Sequence, residues 1–230
     1  MYRRSYKNIF LFVAVIPLFY SCGKTTASKA GLNIQYQILN LSPDLGSVNL
    51  FIDYLQVNKY PIKFNVNQGY FYVPSIDTPY QIRSAVGTLS PLFSRGDILK
   101  TGAKYSLFII GDAGKNTVNQ IFTVDTATAS KIGTAKIRFI NASPTESGGL
   151  DVSINGSTIF TKVFYKKVSD YLEVPVGNYD VQINETGSTN LIKEMPLVTV
   201  QDGKLYTLYT YGYSNRADSA AFNSAIITNK

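Results

Sequence analysis

The chain of 230 residues contains no histidine, no tryptophan and one cysteine. Without histidine there is no imidazole base, no imidazole metal ligand and no serine–histidine–acid triad. The lone cysteine, Cys22, excludes an intramolecular disulfide and a metal site built on several thiolates. Charged residues are also sparse, at 16%. After the N-terminal segment no stretch of about a dozen residues repeats its apolar positions with a helical period. These absences disfavour an enzyme and imply no cofactor.

Cys22 has a use in its context. Arg3, Arg4 and Lys7 precede an apolar run of 12 residues, Ile9 to Tyr20, which is too short for a membrane span and suits a signal peptide. The string Leu18-Phe19-Tyr20-Ser21-Cys22 resembles the lipobox of bacterial lipoproteins, in which the cysteine is acylated; Phe19 and Tyr20 are bulkier than the usual residues there. That resemblance implies attachment to the membrane through lipid on Cys22, at the outer membrane, on its periplasmic or cell-surface face. Several acyl chains anchor firmly where one holds marginally. Without Arg3, Arg4 and Lys7 the chain has 19 basic residues against 15 acidic ones, a net +4 that is too small and scattered for nucleic acid.

A repeat organises the remainder. Tyr36 to Pro43, YQILNLSP, returns 101 residues later as Ile137 to Pro144, IRFINASP, and the offset also equates Tyr70 with Tyr171, Pro74 with Pro175, Gly102 with Gly203 and Gly111 with Gly212. A period this long marks a duplicated domain, since solenoid repeats run about 20 to 50 residues. The expected organisation is a signal peptide over residues 1–21, a tether over 22–31, a first module over 32–126, a linker over 127–133 and a second module over 134–230.

Both modules read as strands. Leu150, Val152 and Ile154 alternate with polar residues, Asn155-Gly156 provides a tight hairpin turn, and Val48, Leu50 and Ile52 repeat the alternation in the first module. The segment Ala217 to Ala225 is ambiguous, although its counterpart Asn119 to Val124 reads as strand. The fold class is therefore all-β, as two antiparallel sandwiches in tandem.

The series IRFINASP, LDVSING, VSDYLEVPVGNYDVQI and DGKLYTLYTYG resembles a bacterial family of domains of unknown function, found in tandem in secreted proteins and Bacteroidota-type lipoproteins. The resemblance implies immunoglobulin-like β-sandwiches and brings no settled activity. The second module matches from Ala135 to Gly212; the first is divergent, with Ser75-Ile76 in place of Val176-Gly177 and the Asn-Gly hairpin lost.

Three sets of residues are candidate sites. The strand from Leu205 places Tyr206, Leu208 and Thr210 on one face and Tyr209, Tyr211 and Tyr213 on the other. The first set matches the apolar face Tyr105, Leu107 and Ile109, so the second points outward. Such a row suits a glycan or peptide platform; it also suits an interface between modules or cover by Ala221 to Thr228, and packing of this kind is the favoured expectation. Thr126 and Ser219 lie in strings of acid, hydroxyl and alanine that resemble O-glycosylation acceptors of Bacteroidota envelope proteins. Asp44, Asp53, Glu146, Asp151, Asp170, Glu173 and Glu185 fall at turns or outward positions, as solvated acids do, and two acids beside Gly148-Gly149 are too few for a calcium loop. In Asn40-Leu41-Ser42-Pro43 and Asn141-Ala142-Ser143-Pro144 the side chains are expected to bond nearby backbone amides and end a strand.

The sequence thus points to an envelope lipoprotein that binds, adheres or scaffolds without catalysis, its partner a glycan or an envelope protein. The alternatives are a histidine-free hydrolase using two carboxylates about 5 to 10 Å apart, or a structural spacer.

Overall fold

The computed structural model describes residues 33–87, 90–128 and 130–229, so the expected signal segment and the whole of the tether with Cys22 lie outside the described residues. The described chain is all β. The first module contains β1 (Asn33–Asn40), β2 (Val48–Ile52), β3 (Leu55–Gln56), β4 (Tyr70–Pro74), β5 (Tyr80–Ser84), β6 (Pro91–Arg95), β7 (Lys104–Ile110) and β8 (Asn119–Val124). The second contains β9 (Thr134–Asn141), β10 (Leu150–Ile154), β11 (Ser157–Val163), β12 (Leu172–Pro175), β13 (Gly177–Glu185), β14 (Leu191–Val200), β15 (Leu205–Tyr211) and β16 (Asn223–Thr228). The ambiguous Ala217 to Ala225 is turn leading into β16.

Each module is a sandwich of two four-stranded sheets. An outer sheet, β3-β2-β5-β6 or β11-β10-β13-β14, covers an inner sheet, β4-β1-β7-β8 or β12-β9-β15-β16. Period-two alternation fills the space between. Ile34, Tyr36 and Ile38 of β1 and Tyr105, Leu107 and Ile109 of β7 meet Val48, Leu50 and Ile52 of β2. Phe139, Tyr206 and Leu208 meet Val152, Val181 and Ile183 in the second module. One feature of each inner sheet goes beyond antiparallel pairing: β1 runs parallel to β7, and β9 to β15, because the first strand of each module lies beside the seventh after a long connection.

Turn chemistry follows the sequence in the second module and departs from it in the first. Asn155 and Gly156, at φ 46° and 80°, close the β10–β11 hairpin. The expected loss of this hairpin in the first module is corrected by the structure. Asp53 and Tyr54 adopt φ 48° and 65° and close β2 onto β3 with the same pair of left-handed residues. A tyrosine at positive φ does not advertise a tight turn, so the sequence pattern concealed it.

The two Asn-x-Ser-Pro strings end β1 and β9 as expected. The side-chain oxygens of Asn40 and Asn141 accept from the backbone N–H groups of Ser42 and Ser143, at 3.1 and 3.2 Å. Their amides donate onward, Asn40 to Gly46 and Asn141 to Glu146 and Val163.

Candidate functional site

The second faces of β7 and β15 determine what this molecule can present to a partner. Alternation turns Phe108 and Ile110 away from the first core and Tyr209 and Tyr211 away from the second. The two inner sheets bury these residues against each other in a third apolar cluster with Leu39, Leu41, Ile121, Ile140, Ala142 and Ile227. Phe108 and Tyr209 lie 5.9 Å apart between ring centroids, and the edge of one ring meets the face of another where Phe64 packs on Tyr211. The layer order is therefore outer, inner, inner, outer.

This packing corrects the solvent-facing platform. Tyr209, Tyr211 and Tyr213 are 3%, 6% and 4% exposed. They point away from their own core as alternation requires, but the first module covers them. The Tyr211 hydroxyl accepts from Asn65 at 2.7 Å, and the Tyr213 hydroxyl donates to the carbonyl of Gly111 at 3.3 Å, both across the module boundary. Burial raises the pKa of all three, with Tyr213 pushed up to about 12.

A buried polar network lies beside the apolar cluster, and sequence reasoning missed it. Asp125, immediately after β8, and Arg138, in the middle of β9, form an ion pair with almost no exposure on either side chain. The Asp125 carboxylate also accepts from Thr123, Ser106 and Tyr70 at 3.0, 2.5 and 2.9 Å. Arg138 donates to Thr207 at 2.9 Å, to Thr123 at 3.0 Å and to the carbonyl of Val124 at 3.0 Å, with its guanidinium 4.8 Å from the centroid of the Tyr171 ring. So many donors satisfy the carboxylate that the pair withstands burial. Burial is also the main cause that raises the Tyr70 pKa, with the adjoining Asp125 charge next.

The repeat explains the layout. Its offset equates Gln37 with Arg138 and Ser106 with Thr207, while the matching antiparallel registers of β8 on β7 and β16 on β15 equate Asp125 with Asn229. Ser106 donates to Asp125 and Thr207 donates to Asn229, at 2.5 and 2.6 Å. Two copies of one neutral arrangement thus face each other with one acid and one base substituted. An arginine on the same face of β9 as Ile140 was the available signal.

The remaining candidates sit apart from one another. Thr126 is exposed on a cleft of about 330 Å³ lined by Lys104, Asp125 and Leu205, but the acid preceding it is the buried Asp125. Ser219 is exposed beside Asp218, which pairs with Arg216 at 2.5 Å. Among the surface acids, Glu146 is buried and accepts from Thr145 and Ser214, which corrects its placement as a solvated group. Asp151 anchors a turn, accepting from Lys162 N–H, Thr186 and Gly187 N–H at 2.8, 2.9 and 3.1 Å. Glu173 accepts from Thr134 at 2.7 Å and from Lys131 N–H at 3.1 Å. Among the described residues no cluster of three or more acids or cysteines forms a metal site.

A second cleft opens where the modules meet near Pro144. About 320 Å³ is enclosed by Asp112, Lys115 and Thr117 of the first module and by Pro144, Thr145, Tyr165, Lys166 and Tyr213 of the second. Lys115 pairs with Asp112 at 3.2 Å, and the Lys166 ammonium lies 5.3 Å from the centroid of Tyr165. Burial pushes the Tyr165 hydroxyl up to about 12.

Comparison with known proteins found no match among curated proteins. One family profile, described as a domain of unknown function, DUF4397, matches residues 35–148 and again 145–225. Two successive matches spanning most of the chain accord with the duplication, and the chain belongs to the DUF4397 family.

Proposed function

We propose that this is a lipid-anchored envelope protein that acts without catalysis, holding two β-sandwich modules as one rigid block that binds a glycan or envelope partner. The observation that carries this reading is the face-to-face packing of the inner sheets around Tyr209, Tyr211 and the Asp125–Arg138 pair. Apolar packing and a satisfied ion pair fix the relative position of the modules, which suits presentation of a composite surface. Engagement of Asp125, Glu146, Asp151 and Glu173 in ion pairs or turn hydrogen bonds supports a binding role over the carboxylate hydrolase. Anchoring rests on the lipobox-like string ending in Cys22.

The test uses the full chain expressed in an envelope-bearing bacterium that lipidates. Incorporation of labelled palmitate that is lost in Cys22→Ala, together with retention of the purified protein on envelope polysaccharide without release of soluble sugar, is the expected result. Palmitate labelling unchanged by Cys22→Ala overturns the anchor. Steady release of sugar by the protein overturns the non-catalytic reading.

A further inference from the structure

We propose that the inter-module cleft beside Pro144 binds a single carboxylate-bearing sugar ring, of the uronate class, through Lys166, Lys115 and Tyr165. The proposal rests on the binding role above and assigns it a place and a ligand chemistry.

The first argument comes from the broken symmetry of the duplication. The offset makes Phe64-Asn65 the counterpart of Tyr165-Lys166. In both modules the second residue is left-handed, at φ 51° for Asn65 and 70° for Lys166. Both also donate their backbone N–H to the asparagine that ends the first strand, Asn65 to Asn40 at 2.7 Å and Lys166 to Asn141 at 2.9 Å. The backbone demand is the same, and asparagine meets it more readily than lysine. In the first module Asn65 and Phe64 are spent on the interface, bonding and packing against Tyr211. In the second, Tyr165 also packs against the shared cluster, while Lys166, a residue less suited to the conformation, brings an ammonium group to an open cleft.

Chemistry supplies the second argument. Lys166 has no ion pair among the described residues, and its ammonium lies over the Tyr165 ring. Tyr165 lines the cleft half-buried, and its hydroxyl has no hydrogen-bond partner among the described residues. Lys115 adds a second ammonium, 74% exposed, whose partner Asp112 is already held by the backbone N–H groups of Gly114 and Lys115. The unpaired Lys166 ammonium, the Asp112-paired Lys115, a phenol without a partner and the apolar surface of Tyr165 and Pro144 match a ring that carries one carboxylate and several hydroxyls. At about 320 Å³ the cleft falls at the lower limit of ligand sites, which run from about 300 to 1,000 Å³, so it suits one ring better than a chain.

Titration of the full chain in detergent with sodium glucuronate, followed by calorimetry, tests the proposal, with glucose and sodium acetate as separate arms. Saturable binding of glucuronate is expected, at least about tenfold tighter than either glucose or acetate. Lys166→Asn installs the residue that the first module uses at the same backbone conformation; it should keep or raise thermal stability while weakening glucuronate at least tenfold. Tyr165→Phe should weaken it severalfold. Equal binding of acetate would reduce the site to a general counter-ion position and overturn the proposal, as would unchanged binding in Lys166→Asn. Absence of glucuronate binding by a protein that still adheres to envelope polysaccharide would overturn this site alone and leave the broader binding role standing.

Discussion

Arg138 of the second module reaches Asp125 of the first with almost no exposure of either side chain. The contact spans the module boundary, and its two charged positions have neutral counterparts in the repeat, Gln37 for Arg138 and Asn229 for Asp125. Removing one partner leaves the other charged and unpaired, so Arg138→Met should lower unfolding stability by about 3 to 5 kcal/mol. Asp125→Asn combined with Arg138→Gln restores the neutral version seen in the counterpart positions and should recover most of that loss. Urea unfolding of both variants checks the pair.

The packed tyrosines give a different outcome from an exposed platform. Tyr209→Ala removes a buried ring from the contact with Phe108 and should cost about 3 to 5 kcal/mol. Replacing Tyr209, Tyr211 and Tyr213 together with serine should separate the modules, seen as a larger radius of gyration in solution scattering and an earlier first unfolding step. Unchanged stability in the triple variant would contradict the observed burial.

Gly111 and Gly212 follow the two inward strands, β7 and β15, and have positive φ of 93° and 77°. A Cβ at Gly212 would overlap the carbonyl oxygens of Ala220 and Ala221, and one at Gly111 that of Thr117. Gly212→Ala should cost about 2 to 4 kcal/mol, combining left-handed strain with the overlap. Gly156→Ala, where nothing lies within 4 Å, should show the conformational part alone. The difference between their denaturation midpoints separates the two effects.

The Asp53-Tyr54 turn offers a stabilising change. Tyr54 is left-handed and exposed, so Asp53→Asn with Tyr54→Gly gives the first module the turn chemistry of Asn155-Gly156 and should raise stability by about 1 kcal/mol. Thermal melting detects this as an upward shift.

Acid sensitivity should have a defined source at Asp151. Desolvation raises its pKa, but the donors from Lys162, Gly187 and Thr186 outweigh that effect and hold the carboxyl below the usual aspartate value. Its folded pKa lies under its unfolded one, so its contribution is complete above about pH 4 and declines as the pH falls through the folded pKa. Asp151→Asn should flatten that part of the pH dependence, measured as urea midpoints from near-neutral to acid pH.

The sandwich, the duplication and the Asn-Ser-Pro strand ends were legible because each is written in local periodicity or turn chemistry. Burial of Tyr209 and Tyr211 was harder to read. Alternation assigns them a face, whereas the covering residues Phe108, Leu39 and Ile121 lie in another module. Asp125 was concealed for a related reason. Its string, Asp125-Thr126-Ala127, has the composition of a loop, and only the folded molecule brings Arg138, Tyr70 and Ser106 around it. The cleft at Tyr165-Lys166 was equally invisible, since its first wall comes from the segment containing Lys115.

The shared inner layer also bears on how the protein is made. As the chain is synthesised N-terminus first, Leu39, Phe108, Ile110 and Ile121 are in place before β9, β15 and β16 are available to cover them. A cut near residue 130 would therefore leave a first module whose inner sheet exposes a contiguous apolar face, the kind of surface that drives aggregation.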